Sequence, residues 1–219
     1  IPLSIIMTLG TIAHEMYEFI YIAYFSLFSF FYIVGENKFF TTQKLRNNSY
    51  RILGSVGNIV LLLGLSFEWF WNDLRNNGYQ FFEYFKSPEF IVATIITILA
   101  FSLWYIQNRS KKMQELSPFS LLFIPFIVTF AVGIFSPIAI ACINFILLAL
   151  GVYTIILGSK KDHLGLLNYG LLIIASLIIC RFFDTDLSFI IRGLLFVVVC
   201  LGFFVVNYLV IKKRKVYEN

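Results

Sequence analysis

Charge is scarce in this chain. Only 13% of its 219 residues are Asp, Glu, Lys or Arg, where soluble domains carry about 25%, and 59% are hydrophobic. A water-soluble core cannot hide that much apolar surface, so a bilayer is the expected solvent. Cysteine is also rare, with three. Cys142, Cys180 and Cys200 each lie inside an apolar run with no CxxC or Cys/His spacing. That leaves no zinc framework or disulfide scaffold and reads as buried, inert thiols. There are two histidines, His14 and His163, in gaps assigned below to opposite faces, so neither Ser/His/Asp chemistry nor an axial haem pair is indicated. No P-loop, GxSxG or HExxH occurs. No metal and no cofactor is expected. The net charge of +5 does not point to nucleic acid, because the basic residues fall in short gaps between apolar runs.

Apolar runs are what the sequence has in quantity. A spanning helix needs about 20 mostly apolar residues. Candidates are Ile1–Ala13, Phe19–Val34, Ile52–Trp71, Phe90–Gln107, Pro118–Phe135, Pro137–Gly158, Leu164–Phe183 and Leu187–Ile211. The fold expected is an all-α polytopic integral membrane helix bundle. It has eight transmembrane helices, or seven if the short Ile1–Ala13 does not cross. Residues 1–219 form a single transmembrane domain with no soluble domain. Helical amphipathicity is weak, as suits helices wetted by lipid on one side and by neighbours on the other. The chain begins at Ile1 rather than Met, which is expected of a fragment or a processed form.

Lys and Arg alternate between gaps. One set holds Lys38, Lys44, Arg46 and Arg51, then Arg109, Lys111 and Lys112, then Lys160 and Lys161, then Lys212, Lys213, Arg214 and Lys215. The other holds only Arg75, Lys86, Arg181 and Arg192. Most acids sort the opposite way: Glu15, Glu18, Glu68, Asp73, Glu83, Glu89, Asp184 and Asp186. By the positive-inside rule the basic set is cytoplasmic, and so is the C-terminus.

Within IICRFFDTDLSFIIRGLL, residues 178–195, the outer hairpin carries Arg181, Asp184, Asp186 and Arg192. Asp184, Thr185 or Asp186 can cap the final helix, and the arginines can neutralise the acids. Alternatively the four charges face an outer pocket, since ionisable groups near membrane depth are functional candidates. In TIAHEMYEF, His14, Glu15 and Glu18 lie between the first two runs, and a helix would put His14 and Glu18 on one face as an interfacial loop or a proton or cation site. FEWFWNDLRN begins with Glu68 and places Trp69 and Trp71 where an interfacial aromatic belt belongs. The aromatics of residues 19–34 are expected to pack helices and face lipid. Gly54, Gly57, Gly151 and Gly170 allow close helix approach, and Asn58 and Asn144 suit interhelical hydrogen bonds.

The run LGLLNYGLLIIASLIICRFFDTDLSFIIRGLLFVVVCLGFFVVNYLVIKKRK, residues 164–215, resembles the C-terminal part of the DUF2157-type predicted membrane proteins of bacteria. The resemblance covers about the last 80 residues, and its elements are the aromatic–Asp hairpin at Arg181, Phe182, Phe183 and Asp184, Arg192-Gly193 early in the final helix, Asn207 near its end, and the basic tail Lys212, Lys213, Arg214 and Lys215. The resemblance implies a multi-helix protein of the bacterial inner membrane and no particular activity. The soluble N-terminal segment expected of that family is one that this chain is expected to lack.

The expected function is that of a multi-pass membrane component, a carrier or an accessory subunit of a membrane complex. Its acidic outer-face site would be drawn from His14, Glu15, Glu18, Glu68, Arg181, Asp184, Asp186 and Arg192. Its partners would be membrane lipids and other membrane subunits. The alternative is a lipid- or polyprenyl-processing enzyme with paired outer carboxylates as acid and base.

Overall fold

The computed structural model describes residues 2–11, 17–37, 48–76, 86–109 and 117–182, together with Ile190, Gly193, Leu194, Val197, Cys200, Leu201, Gly202 and Phe204. Among the described residues the protein is helical, with no strand. In chain order the helices are α1 (Pro2–Gly10), α2 (Ile20–Gly35, after a 3₁₀ turn at Tyr17–Phe19), α3 (Ser49–Gly64), α4 (Glu68–Asn76) and α5 (Pro88–Asn108). They continue with α6 (Pro118–Leu121), α7 (Phe123–Phe135), α8 (Ile138–Lys160) and α9 (Leu164–Phe182). Three of these, α5, α8 and α9, are long and apolar enough to cross a bilayer. A fourth span results if α3 and α4, bent by 71° at a short break, count as one. The last expected span, Leu187–Ile211, lies mostly outside the described residues.

Two expected spans are broken. Ile52–Trp71 divides because α3 ends at Gly64, where Ser66 Oγ donates to the Leu63 carbonyl at 2.6 Å and so satisfies a terminal acceptor. Pro118–Phe135 divides at Leu122 because Pro125 has no N–H for the Leu121 carbonyl and its ring crowds that oxygen. Among its described residues the expected first span, Ile1–Ala13, holds α1, nine residues or about 14 Å long.

The chain groups into two compact units, residues 1–143 and 144–219. In the first, α2 is the central helix, packed along α3 and α5 and touching α1, α6 and α7. Its partners alternate in direction. Gly35 at the end of α2 meets the backbone of Arg51 at the start of α3, and Phe19 before α2 meets Phe90 at the start of α5, ring centroids 5.7 Å apart. Tyr32 in the last turn of α2 meets Ser117 before α6. The unit therefore has two ends. The gaps bounded by Glu36 and Asn48 and by Asn108 and Ser117 share one, and the 3₁₀ turn, α4 and the start of α5 share the other.

The largest fully buried side chains of its core are aromatic. Phe25 stacks on Phe126 at 4.1 Å, and Phe70, Trp71 and Phe130 form a fully or almost fully buried cluster. The expected aromatic belt is half right. Trp69 is 54% exposed, but Trp71 is completely buried, because the 71° bend turns its face of α4 onto α7. There the indole Nε1 donates to the Leu65 carbonyl at 2.7 Å, and the ring fills the notch left by Gly133.

In the second unit α8 and α9 pair through glycines. A Cβ at Gly170 would lie 2.8 Å from the Gly151 carbonyl oxygen, so the two backbones touch there. The turn between them uses a left-handed residue, Asp162 (φ 50°), and His163 accepts the Leu166 N–H through Nδ1 at 3.1 Å as the N-cap of α9.

Candidate functional site

Two buried carboxylates mark one end of the first unit. Glu18, in the 3₁₀ turn, has no solvent exposure, and Glu89, in the first turn of α5, has 1%. Phe19 and Phe90, the residues beside them, are in ring contact, so both acids belong to the same end. Their local structure explains part of their tolerance. Ser87 caps α5, its Oγ accepting the Phe90 N–H at 3.2 Å, with Pro88 at the first helical position. Glu89 therefore sits in the positive field of a helix N-terminus, and Glu18 immediately precedes that of α2. Glu68, the first residue of α4, is at this end too, but it is exposed. Two cations share this end, the exposed Lys86 and, in α4, Arg75. Its Nη2 donates to Asn72 Oδ1, while its Nη1 is buried with no hydrogen-bond partner among the described residues.

Of the other residues expected to form a site, His14, Glu15, Asp184, Asp186 and Arg192 lie outside the described residues. Arg181 belongs to the second unit, half-buried in the last turn of α9, where a cation suits the helix dipole. Glu89 was not among the expected site residues. Its signal was Ser87-Pro88-Glu89, a cap, a helix-starting proline and an acid, which fixes it in a helix rather than a loop.

The opposite end holds a network that the sequence reading did not assemble. Arg51 Nε donates to the Tyr32 hydroxyl at 3.2 Å, and its guanidinium carbon lies 5.3 Å from the Tyr32 ring centroid. Arg51 Nη2 approaches Glu36 Oε1 at 3.9 Å. The Tyr32 hydroxyl also shares a hydrogen bond of 2.8 Å with Ser117 Oγ, in which either oxygen can donate. Asn48 completes the group. Its Oδ1 accepts the Arg51 N–H at 3.1 Å as the N-cap of α3, and its Nδ2 donates to the Gly35 carbonyl at 2.7 Å.

Between the two ends, polar side chains in the middle of the unit are used in helix pairing. Ser26 and Thr97 share a hydrogen bond of 2.8 Å between α2 and α5, and Asn58 Nδ2 donates to Ser29 Oγ at 3.1 Å between α3 and α2. Ser26, Ser29 and Asn58 are fully buried. Among the described residues no group of three or more His, Cys, Asp and Glu is placed to hold a metal ion. Comparison with protein-family models, curated proteins and solved structures finds no match for the chain.

Proposed function

We propose that this chain is a multi-pass protein of the bacterial inner membrane, with eight spans or seven, its basic ends and C-terminus cytoplasmic, acting as an accessory subunit of a membrane complex. The observation that carries this reading is the side-chain pairing between helices in the middle of the first unit. Ser26, Ser29, Asn58 and Thr97 are paired with one another across α2, α3 and α5, and Phe25 and Phe126 close the same layer by stacking. These side chains spend their hydrogen bonds on holding helices together, while Asn58 Oδ1 is buried with no hydrogen-bond partner among the described residues. The resemblance of residues 164–215 to DUF2157-type proteins supports the bacterial membrane setting.

A second reading, a carrier for a proton or cation, is favoured by one specific observation, the burial of Glu18 and Glu89 at one end. Carboxylates withdrawn from water at membrane depth are costly and commonly functional. One experiment separates the two. The protein is extracted in native-lipid nanodiscs for mass measurement and, in parallel, reconstituted into liposomes under proton, sodium and potassium gradients. The accessory reading predicts a particle holding further subunits beside the 25.3 kDa chain and no uptake above empty liposomes. A solitary chain with gradient-driven uptake abolished by Glu18→Gln or Glu89→Gln contradicts it and establishes the carrier.

A further inference from the structure

The span formed by α6 and α7 is held in two different ways. α7 is fixed along its length. Phe126 stacks on Phe25, Phe130 joins the Phe70–Trp71 cluster, and Gly133 receives the Trp71 ring. α6 is a four-residue arm joined to α7 at Leu122, where Pro125 interrupts the helical hydrogen bonds. Thr129 Oγ1 donates back to the Pro125 carbonyl at 2.8 Å, a bond that also bends helices. What secures the arm is the network on α2 and α3. Ser117, at its start, bonds the Tyr32 hydroxyl, which Arg51 in turn holds, and Phe119 stacks on the Tyr32 ring at 5.4 Å. Tyr32 and Phe119 are 4% and 5% exposed, so the docked arm covers both.

We propose that α6 is a latch. The arm pivots at the Leu122–Pro125 break, and the Arg51–Tyr32–Ser117 chain of hydrogen bonds keeps it shut. Two features favour a reversible device. The break in helical hydrogen bonding before Pro125 lies between the arm and its anchored continuation. The fastening includes a chain of polar contacts around one hydroxyl and the Phe119–Tyr32 ring pair. Arg51 is the control point, because its guanidinium is shared between the Tyr32 hydroxyl and Glu36. A shift of Arg51 toward Glu36 removes the Arg51–Tyr32 link of that chain. This inference does not rest on the accessory-subunit reading, since an arm that opens is compatible with a carrier as well.

The latch is tested by the accessibility of Ser120, which is fully buried on the inner side of the arm. In a chain whose Cys142, Cys180 and Cys200 are replaced by alanine, Ser120→Cys is labelled by a water-soluble maleimide in lipid nanodiscs. Ser66→Cys serves as a fully buried control near the far end of α3. Tyr32→Phe keeps the ring on Phe119 and removes only the hydroxyl. It is expected to raise the Ser120→Cys labelling rate on the order of tenfold, the weight of one to two hydrogen bonds, without changing the control. Ser117→Ala, which leaves Arg51 and Tyr32 together, is expected to do the same. Pro125→Ala restores the missing N–H and is expected to slow labelling. Equal Ser120→Cys rates in the parent, Tyr32→Phe and Ser117→Ala overturn the latch. So does a parallel rise at both probes, which would make the hydroxyl a support of the whole unit. An unchanged rate in Pro125→Ala overturns the pivot.

Discussion

Asn58 and Trp71 show how single residues set this structure. An asparagine inside an apolar run has few acceptable fates, and an interhelical hydrogen bond was the expected one; Asn58 makes it to Ser29. Trp71 was assigned to the membrane surface because two tryptophans at the end of a run fit an aromatic belt. Only a bend in the backbone takes it inside, and no pattern in FEWFWNDLRN distinguishes its face from that of Trp69. Gly133 is the counterpart. A Cβ there would overlap the six-membered ring of Trp71, so Gly133→Ala should expel the indole. In a chain with Trp69→Phe and Trp104→Phe, the emission of Trp71 is expected to shift to the red in Gly133→Ala. Stability should fall by about 1–3 kcal/mol, the usual cost of overpacking. Unchanged emission would show that the notch is not what seats the ring.

The elements follow the sequence where caps and composition agree. α5 begins at Pro88 after Ser87 and α3 at Ser49 after Asn48, within a few residues of the expected starts at Phe90 and Ile52. α8 and α9 are also close to their expected bounds. The breaks were less legible. Pro125 lies inside the expected span Pro118–Phe135, and an apolar run carries no sign of whether a proline will bend a helix or part it. The break after Gly64 is hidden by the aromatic residues beyond it, which continue the apolar pattern while the chain turns by 71°. The network around Tyr32 was illegible for another reason. Tyr32, the locally capped pair Asn48 and Arg51, and Ser117 are distant from one another in the chain and meet only when α2, α3 and α6 are placed side by side. Asn48 has two jobs there, capping α3 and bonding the Gly35 carbonyl. Asn48→Ala is expected to lower stability by about 2 kcal/mol. Asn48→Asp, which keeps the cap acceptor but loses the Nδ2 donor, should cost less. Unfolding titrations of the two variants in mixed micelles check the order, and an aspartate variant as unstable as the alanine one would deny the cap its share.

At the scale of the molecule, the alternation of charge read from the gaps reappears within the first unit. Glu18, Glu68, Asp73, Glu89, Arg75 and Lys86 gather at the end formed by the 3₁₀ turn, α4 and the start of α5. Arg51, Glu36 and the end of α5 at Arg109 belong to the other. That segregation is physical. Alternating helix directions put every second gap on the same side, so a pattern along the chain becomes a pattern across it. Span length is the part that sequence overstated. α2 and α7, at 16 and 13 residues, are about 24 and 20 Å long, short of the hydrocarbon thickness of about 30 Å. Whether they cross depends on the turns, α6 and the neighbouring segments that extend them.

The most direct test of the whole account is the sidedness of four exposed positions, Asn37 and Arg109 at the basic end and Glu68 and Asp73 at the acidic end. Each is replaced singly by cysteine in a chain without native cysteines and labelled with an impermeant maleimide on intact cells, then after permeabilisation. The account predicts that residues 68 and 73 react from outside and that residues 37 and 109 react only once the membrane is breached. Residues 37 and 73 reacting from the same side would contradict it.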